Sequence, residues 1–155
     1  MKILKIDNKE YKIEYSIEAS LCSECTEKVS SLLVGFSAET ENEAKKNFVS
    51  TIADIPSTTF AMFYAGLLEN HGEDGDRSVR TRSDAKKLIK KYIEETQSSF
   101  FELMEILLDE MGESGFFEMI GLEHLMERVE KATKQANPTK KPQDHKKKNT
   151  KVIEM

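Results

Sequence analysis

A chain of 155 residues, 33% charged and 38% hydrophobic, has the composition of a soluble globular protein. Its formal net charge of −5 hides a reversal, because residues 1–137 hold 17 Lys+Arg against 26 Asp+Glu while residues 138–155 hold six lysines against Asp144 and Glu154. No uncharged apolar run approaches the roughly 20 residues that span a bilayer, and the charged start Met1-Lys2-Ile3-Leu4-Lys5-Ile6-Asp7 lacks the form of a secretory signal.

The expected organisation is one acidic body over residues 1–136 and a disordered, lysine-rich tail over residues 137–155. Residues 2–15 alternate with period two: Ile3 and Lys5 lie on one side, Asp7-Asn8-Lys9 turns, and Tyr11, Ile13 and Tyr15 oppose Lys12 and Glu14. This is the β signal, an N-terminal hairpin within residues 1–15. From Ser16 the period becomes helical, with Ile17, Leu21, Cys25, Val29 and Leu32 on one face and Gly35 as the stop. A second amphipathic stretch from Asn42 to Ala53 brings Ala44, Phe48, Val49 and Ile52 to one side before Pro56, where a turn is expected.

Pro56 then suits the first turn of a third helix carrying Phe60, Met62, Phe63, Tyr64, Ala65, Leu67 and Leu68. Apolar residues run nearly all round it, which places it at the centre of the domain. The sequence His71-Gly72-Glu73-Asp74-Gly75-Asp76 opens a polar loop, and Ser83 is a candidate N-cap for a helix with Ala85, Leu88, Ile89, Tyr92 and Ile93 on one face. A further helix starts near Ser98, Gly112 and Gly115 bracket a connection, and a last helix runs from Phe116 to about Val129. The fold class is therefore mainly α: a compact domain of five to six helices with the N-terminal hairpin and a flexible basic tail.

The chemistry-bearing residue types form no catalytic set. Cys22-Ser23-Glu24-Cys25 has CxxC spacing, but the expected helix runs through both cysteines, whereas a thioredoxin-type pair opens a helix. A structural zinc needs four ligands, and His71, His124 and His145 are not closely paired. Packing is the plain reading of both thiols; a metal-binding or redox-responsive regulator using Cys22 and Cys25 is the alternative. The acidic turn Glu73-Asp74-Gly75-Asp76 lacks the ligand spacing of a calcium loop and is followed by Arg77, Arg80 and Arg82. No G-x-S-x-G, H-E-x-x-H or phosphate-cradling glycine loop occurs, so neither an enzyme nor a cofactor is expected. The acidic body also argues against nucleic acid as the partner.

Three strings carry a resemblance: Ile17-Glu18-Ala19-Ser20-Leu21-Cys22 through Val29, Ile52-Ala53-Asp54-Ile55-Pro56-Ser57-Thr58-Thr59 through His71-Gly72, and Met111-Gly112-Glu113-Ser114-Gly115-Phe116-Phe117. In order and character, most of residues 10–125 resembles the small tail assembly chaperones of long-tailed phages and prophages of Gram-positive bacteria. That resemblance implies a non-enzymatic protein of the host cytoplasm that binds and solubilises the tape measure protein and assists tail tube assembly. It also implies a second partner, the tail tube protein, reached through a longer product of a ribosomal frameshift. Lysine runs such as Lys146-Lys147-Lys148 are the kind that slippery codons encode. Homo-oligomers remain open. The family supplies no contact motif, so the candidate partner-binding residues come from the helix reading alone: Phe60, Phe63, Tyr64, Leu67, Phe100, Phe116 and Phe117.

Overall fold

The computed structural model describes residues 1–35, 40–122, 124 and 127, and it is mainly α-helical with an N-terminal antiparallel hairpin. Strand β1 (Lys2–Ile6) pairs with β2 (Lys9–Ile13) in the register Leu4↔Tyr11 and Ile6↔Lys9. The two residues between them, Asp7 and Asn8, have φ of 55° and 64°, the left-handed pair that a tight type I′ hairpin turn requires. Leu4, Ile6, Tyr11, Ile13 and Tyr15 turn inward, while Ile3 and Lys5 face solvent. The turn is tied down by Lys91, whose Nζ lies 2.8 Å from the Asp7 carboxylate, and by Glu95, which accepts from the Asp7 N–H.

The helix expected to run unbroken from Ser16 is two helices, α1 (Ile17–Ser20) and α2 (Ser23–Gly35). The Ser20 hydroxyl donates to the Ile17 carbonyl at 2.6 Å and Cys22 N–H reaches back to Ala19, so the first turn closes on itself instead of propagating. The break rotates the apolar face: Ala19, Cys25, Val29 and Leu32 are buried, but Ile17 and Leu21 stand in solvent.

The turn expected at Ile55-Pro56 is absent. A single helix, α3 (Glu41–His71), runs through Pro56, and Thr40 caps its start by accepting from Glu43 N–H. An interior proline removes one backbone hydrogen bond and costs about 3 kcal/mol. Packing of the half that follows offsets this, since Thr58, Thr59, Ala61, Met62, Phe63, Ala65 and Leu67 are all buried. This half is the centre of the unit, as its all-round apolar character predicts, and α3 packs against β2, α1 and α2.

Helix α4 (Arg82–Thr96) is capped by Thr81, not Ser83: the Thr81 hydroxyl accepts from Asp84 N–H while the Asp84 carboxylate accepts from Thr81 N–H. Helix α5 (Phe100–Ser114) begins with the same reciprocal arrangement between Ser99 and Glu102 and continues through Gly112 to the left-handed Gly115. The last helix of this unit, α6 (Phe116–Met119), is short. Its expected continuation to Val129 is interrupted at Gly121, whose φ of 78° no helix accommodates. The chain divides into two units, Met1–Ile120 and Gly121–Met155. In the second, Leu122 is buried and His124 and Glu127 are exposed; the boundary expected at 136–137 and the lysine tail lie outside the described residues.

A polar seam joins β2 and its extension to α3. Tyr15 Oη donates to Met62 O at 2.8 Å, Glu14 N–H to Gly66 O at 2.9 Å, and Asn70 Nδ2 to Glu14 Oε1 at 3.0 Å. At its end the Lys12 N–H donates to His71 Nε2 at 2.9 Å, so the neutral ring carries its proton on Nδ1, 3.0 Å from the Asp76 carboxylate. The Lys12 N–H, on the outer edge of β2 that a two-stranded sheet leaves open, thus finds a side-chain partner.

Glu110 of α5 is only 2% exposed, and its Oε2 lies 2.7 Å from the α-ammonium of Met1, the one group that meets that oxygen among the described residues. The hydrogen bond to Glu110 draws the ammonium above its ordinary value of 8.0. A base whose folded value is raised stabilises fully below its unfolded value and loses that contribution as pH rises through the folded one. Urea denaturation between neutral and alkaline pH is expected to show wild-type stability falling above pH 8 more steeply than that of Glu110→Gln. Equal slopes would remove the pair from the account.

Candidate partner-binding surface

The seven residues singled out in the sequence divide by burial. Phe63, Leu67 and Phe116 have no exposed surface, and the Phe116 ring packs 5.4 Å from that of Tyr15. They belong to the core and have no area left for a partner in this fold. Phe60, Tyr64, Phe100 and Phe117 are half-buried, each resting on the core with one side open.

Phe60 and Tyr64 come together. One helical turn apart on α3, their rings stack with centroids 6.4 Å apart and an interplanar angle of 5°. The Arg82 guanidinium, at the start of α4, sits 4.8 Å above the Phe60 ring centre and pairs with the Glu24 carboxylate of α2. Three helices therefore converge on one surface of two rings, a cation and an anion. Partial burial raises the Tyr64 hydroxyl above its ordinary value, with smaller contributions from Cys22 and Asp84 in the same direction and from Arg82 in the opposite one. Flat rings braced by an arginine give a rigid, amphipathic platform of the residue types that dominate binding energy at protein interfaces.

Phe100 and Phe117 occupy other places. Phe100 opens α5, where its carbonyl accepts from the buried Thr59 hydroxyl at 3.2 Å, and Phe117 meets Phe116 edge-on at 6.3 Å. Val49 and Ile52, apolar residues of the amphipathic stretch from Asn42 to Ala53, are 68% and 49% exposed. Phe101 and Met119 are also substantially exposed. Helical period alone cannot distinguish an apolar stripe that meets the core from one that does not.

The cysteines are both free thiols, Cys22 half-buried and Cys25 enclosed. Among the described residues no group of three or more His, Cys, Asp and Glu side chains is placed to hold a metal ion. The acidic turn is occupied internally: Asp76 accepts from the Ser78 N–H and hydroxyl, and Glu73 lies within 4 Å of both Arg77 and Arg80. No helix among the described residues is long and apolar enough to cross a membrane. Compared with protein families, curated proteins and solved structures, the chain matches none.

Proposed function

We propose that this protein is a non-enzymatic tail assembly chaperone of a long-tailed phage or prophage, acting in the host cytoplasm to bind and solubilise the tape measure protein while the tail tube assembles. The observation that carries the reading is the Phe60–Tyr64–Arg82 platform, a preformed aromatic surface on the central helix. The three resembling strings supply the family, and the acidic body supplies solubility for a complex whose partner is aggregation-prone. An amphipathic helix of the tape measure protein lays its apolar residues, spaced i, i+3, i+4 and i+7, across such a surface. Exposed Val49 and Ile52, on the same helix, extend the apolar area available to it. The tail tube protein is the second proposed partner, recruited through a frameshifted extension of the lysine-rich tail.

Co-expression tests the reading. The tape measure protein is expected to move from the insoluble to the soluble fraction when this chain accompanies it, and less so with Phe60→Ala/Tyr64→Ala. Loss of two aromatic anchors that cost more than about 1 kcal/mol each weakens binding roughly tenfold or more. A partner that stays insoluble with the wild type, and does not co-purify with it, refutes the chaperone function. A metal-binding or redox-responsive regulator using Cys22 and Cys25 is the alternative reading, and α2 opens immediately after Cys22.

A further inference from the structure

The two edges of the hairpin are not alike. On β2 the Lys12 N–H leaves the sheet for His71 Nε2 at 2.9 Å, so Lys12 and the residue opposite it, Ile3, form a non-hydrogen-bonded pair of the antiparallel ladder. Parity then fixes the outer edge of β1: Ile3, Lys5 and Asp7 turn their N–H and C=O groups away from β2. The Asp7 N–H ends on the Glu95 carboxylate, 3.0 and 3.1 Å from its two oxygens. The N–H and C=O groups of Ile3 and Lys5 meet no partner among the described residues, whereas on the β2 side the Lys12 and Glu14 N–H groups are both taken.

The surroundings of this open edge are basic. Lys2 and Lys5 stand exposed on β1 itself, and α4, which packs against β1, adds exposed Lys87, Lys90 and Lys91. Of the five, Lys91 alone makes an ion pair among the described residues, with Asp7. The sign is local, since from Tyr92 to Leu122 the chain carries eight Asp+Glu and no lysine or arginine. A second copy does not suit the edge: β1 laid antiparallel on itself about Leu4 sets Ile3 against Lys5 and gathers four lysines on adjoining strands. Lysines that guard an edge against self-pairing admit a strand of opposite charge. Glu95 already shows a carboxylate accepting at this edge, from the Asp7 N–H.

We propose that the outer edge of β1 is a docking edge for an extended acidic polypeptide segment, which adds to the hairpin as a third strand. The backbone of the segment pairs with the N–H and C=O groups of Ile3 and Lys5, and its carboxylates meet Lys2, Lys5 and the lysines of α4. Ile3, 47% exposed, offers an apolar contact to an aliphatic residue set opposite it. Glu95 bounds the edge at Asp7, so the pairing runs from Lys5 toward Met1. A nucleic acid supplies the charge but not the alternating donors and acceptors that a strand edge pairs with. The docking edge does not depend on the chaperone reading.

The test is titration of the isotope-labelled full-length chain with a short synthetic peptide that alternates glutamate and valine. The peptide is expected to shift the Ile3 and Lys5 amide resonances and to slow their exchange with solvent, leaving the amides of α5 unchanged. Because the readout is residue by residue, attraction of the peptide to the lysines of residues 138–155 does not mimic it. N-methylation of the peptide nitrogens that face the edge is expected to weaken binding roughly tenfold or more, since two backbone hydrogen bonds are lost. Lys2→Glu/Lys5→Glu, at two exposed side chains, is expected to abolish the shifts; the wild type with the two peptides decides even where this variant misfolds. Absence of shifts at Ile3 and Lys5 in the wild type, or equal binding of the N-methylated peptide, overturns the proposal. So does a single-stranded oligonucleotide that protects the same two amides as strongly.

Discussion

Phe63→Ala is expected to destabilise the fold by about 3–5 kcal/mol, the usual loss for deleting a buried phenylalanine side chain. Phe63 is wholly enclosed, in a cluster that unites Ile6 and Ile13 of the hairpin with Leu103, Leu107 and Met111 of α5. Little rearrangement can refill that space, because the same cluster is bounded by Tyr15, whose hydroxyl is fixed to the Met62 carbonyl. Thermal or urea unfolding checks the number. The contrast matters more than the magnitude, since Phe60→Ala, three residues away and half-buried, is expected to cost well under half as much. Similar losses at both positions would mean that the platform is core and that the partner surface has been misplaced.

Gly66→Val is the second large effect. A Cβ built at Gly66 comes within 2.6 Å of Ile13 Cγ2 and 3.1 Å of the Tyr15 ring, closer than real side chains pack. Both neighbours are buried, so neither can swing into solvent. Overpacking of this kind costs roughly 1–3 kcal/mol, and separation of α3 from β2 also strains the hydrogen bond from Glu14 N–H to Gly66 O. Helix propensity alone pulls the other way, favouring replacement of an interior glycine by about half a kcal/mol. The sign of the measured change therefore decides between them. Destabilisation shows that close approach of helix and strand sets this position, whereas a gain in stability would show that the seam is looser than its geometry states.

Much of the fold was legible because local chemistry and tertiary need agree along it. Alternation in residues 2–15, with Asp7-Asn8 able to adopt left-handed geometry, announced the hairpin, and the apolar girth after Pro56 announced a central helix. Two boundaries misled for physical reasons. Proline is compatible both with a first helical turn and, at a cost, with an interior, so Pro56 could not reveal that α3 begins at Glu41. The break after Ser20 involves neither glycine nor proline. It arises from a serine hydroxyl and a tertiary demand to bury Ala19 and Cys25, which period counting does not contain.

The candidate site was half legible for a related reason. Phe60 and Tyr64 form one i, i+4 stripe on α3 and Phe63 and Leu67 form the next, rotated by about 60° on a helix of 3.6 residues per turn. Both stripes are aromatic or aliphatic, so sequence places all four on an apolar helix. Only the positions of α4 and α2, which bring Arg82 and Glu24 to Phe60, show that the first stripe is a surface and the second is core. That α2 opens only after Cys22 was hidden by the same missed break.

The central claim is that this surface grips the tape measure protein, and affinity purification of that partner tests it most directly. Tagged wild type and tagged Phe60→Ala/Tyr64→Ala, matched in unfolding temperature, are each co-expressed with the tape measure protein and recovered. The account predicts that the partner co-purifies with wild type and is lost, or reduced roughly tenfold or more, with the double variant. Equal recovery with both proteins would contradict the assignment of the surface, and recovery with neither would contradict the chaperone function itself.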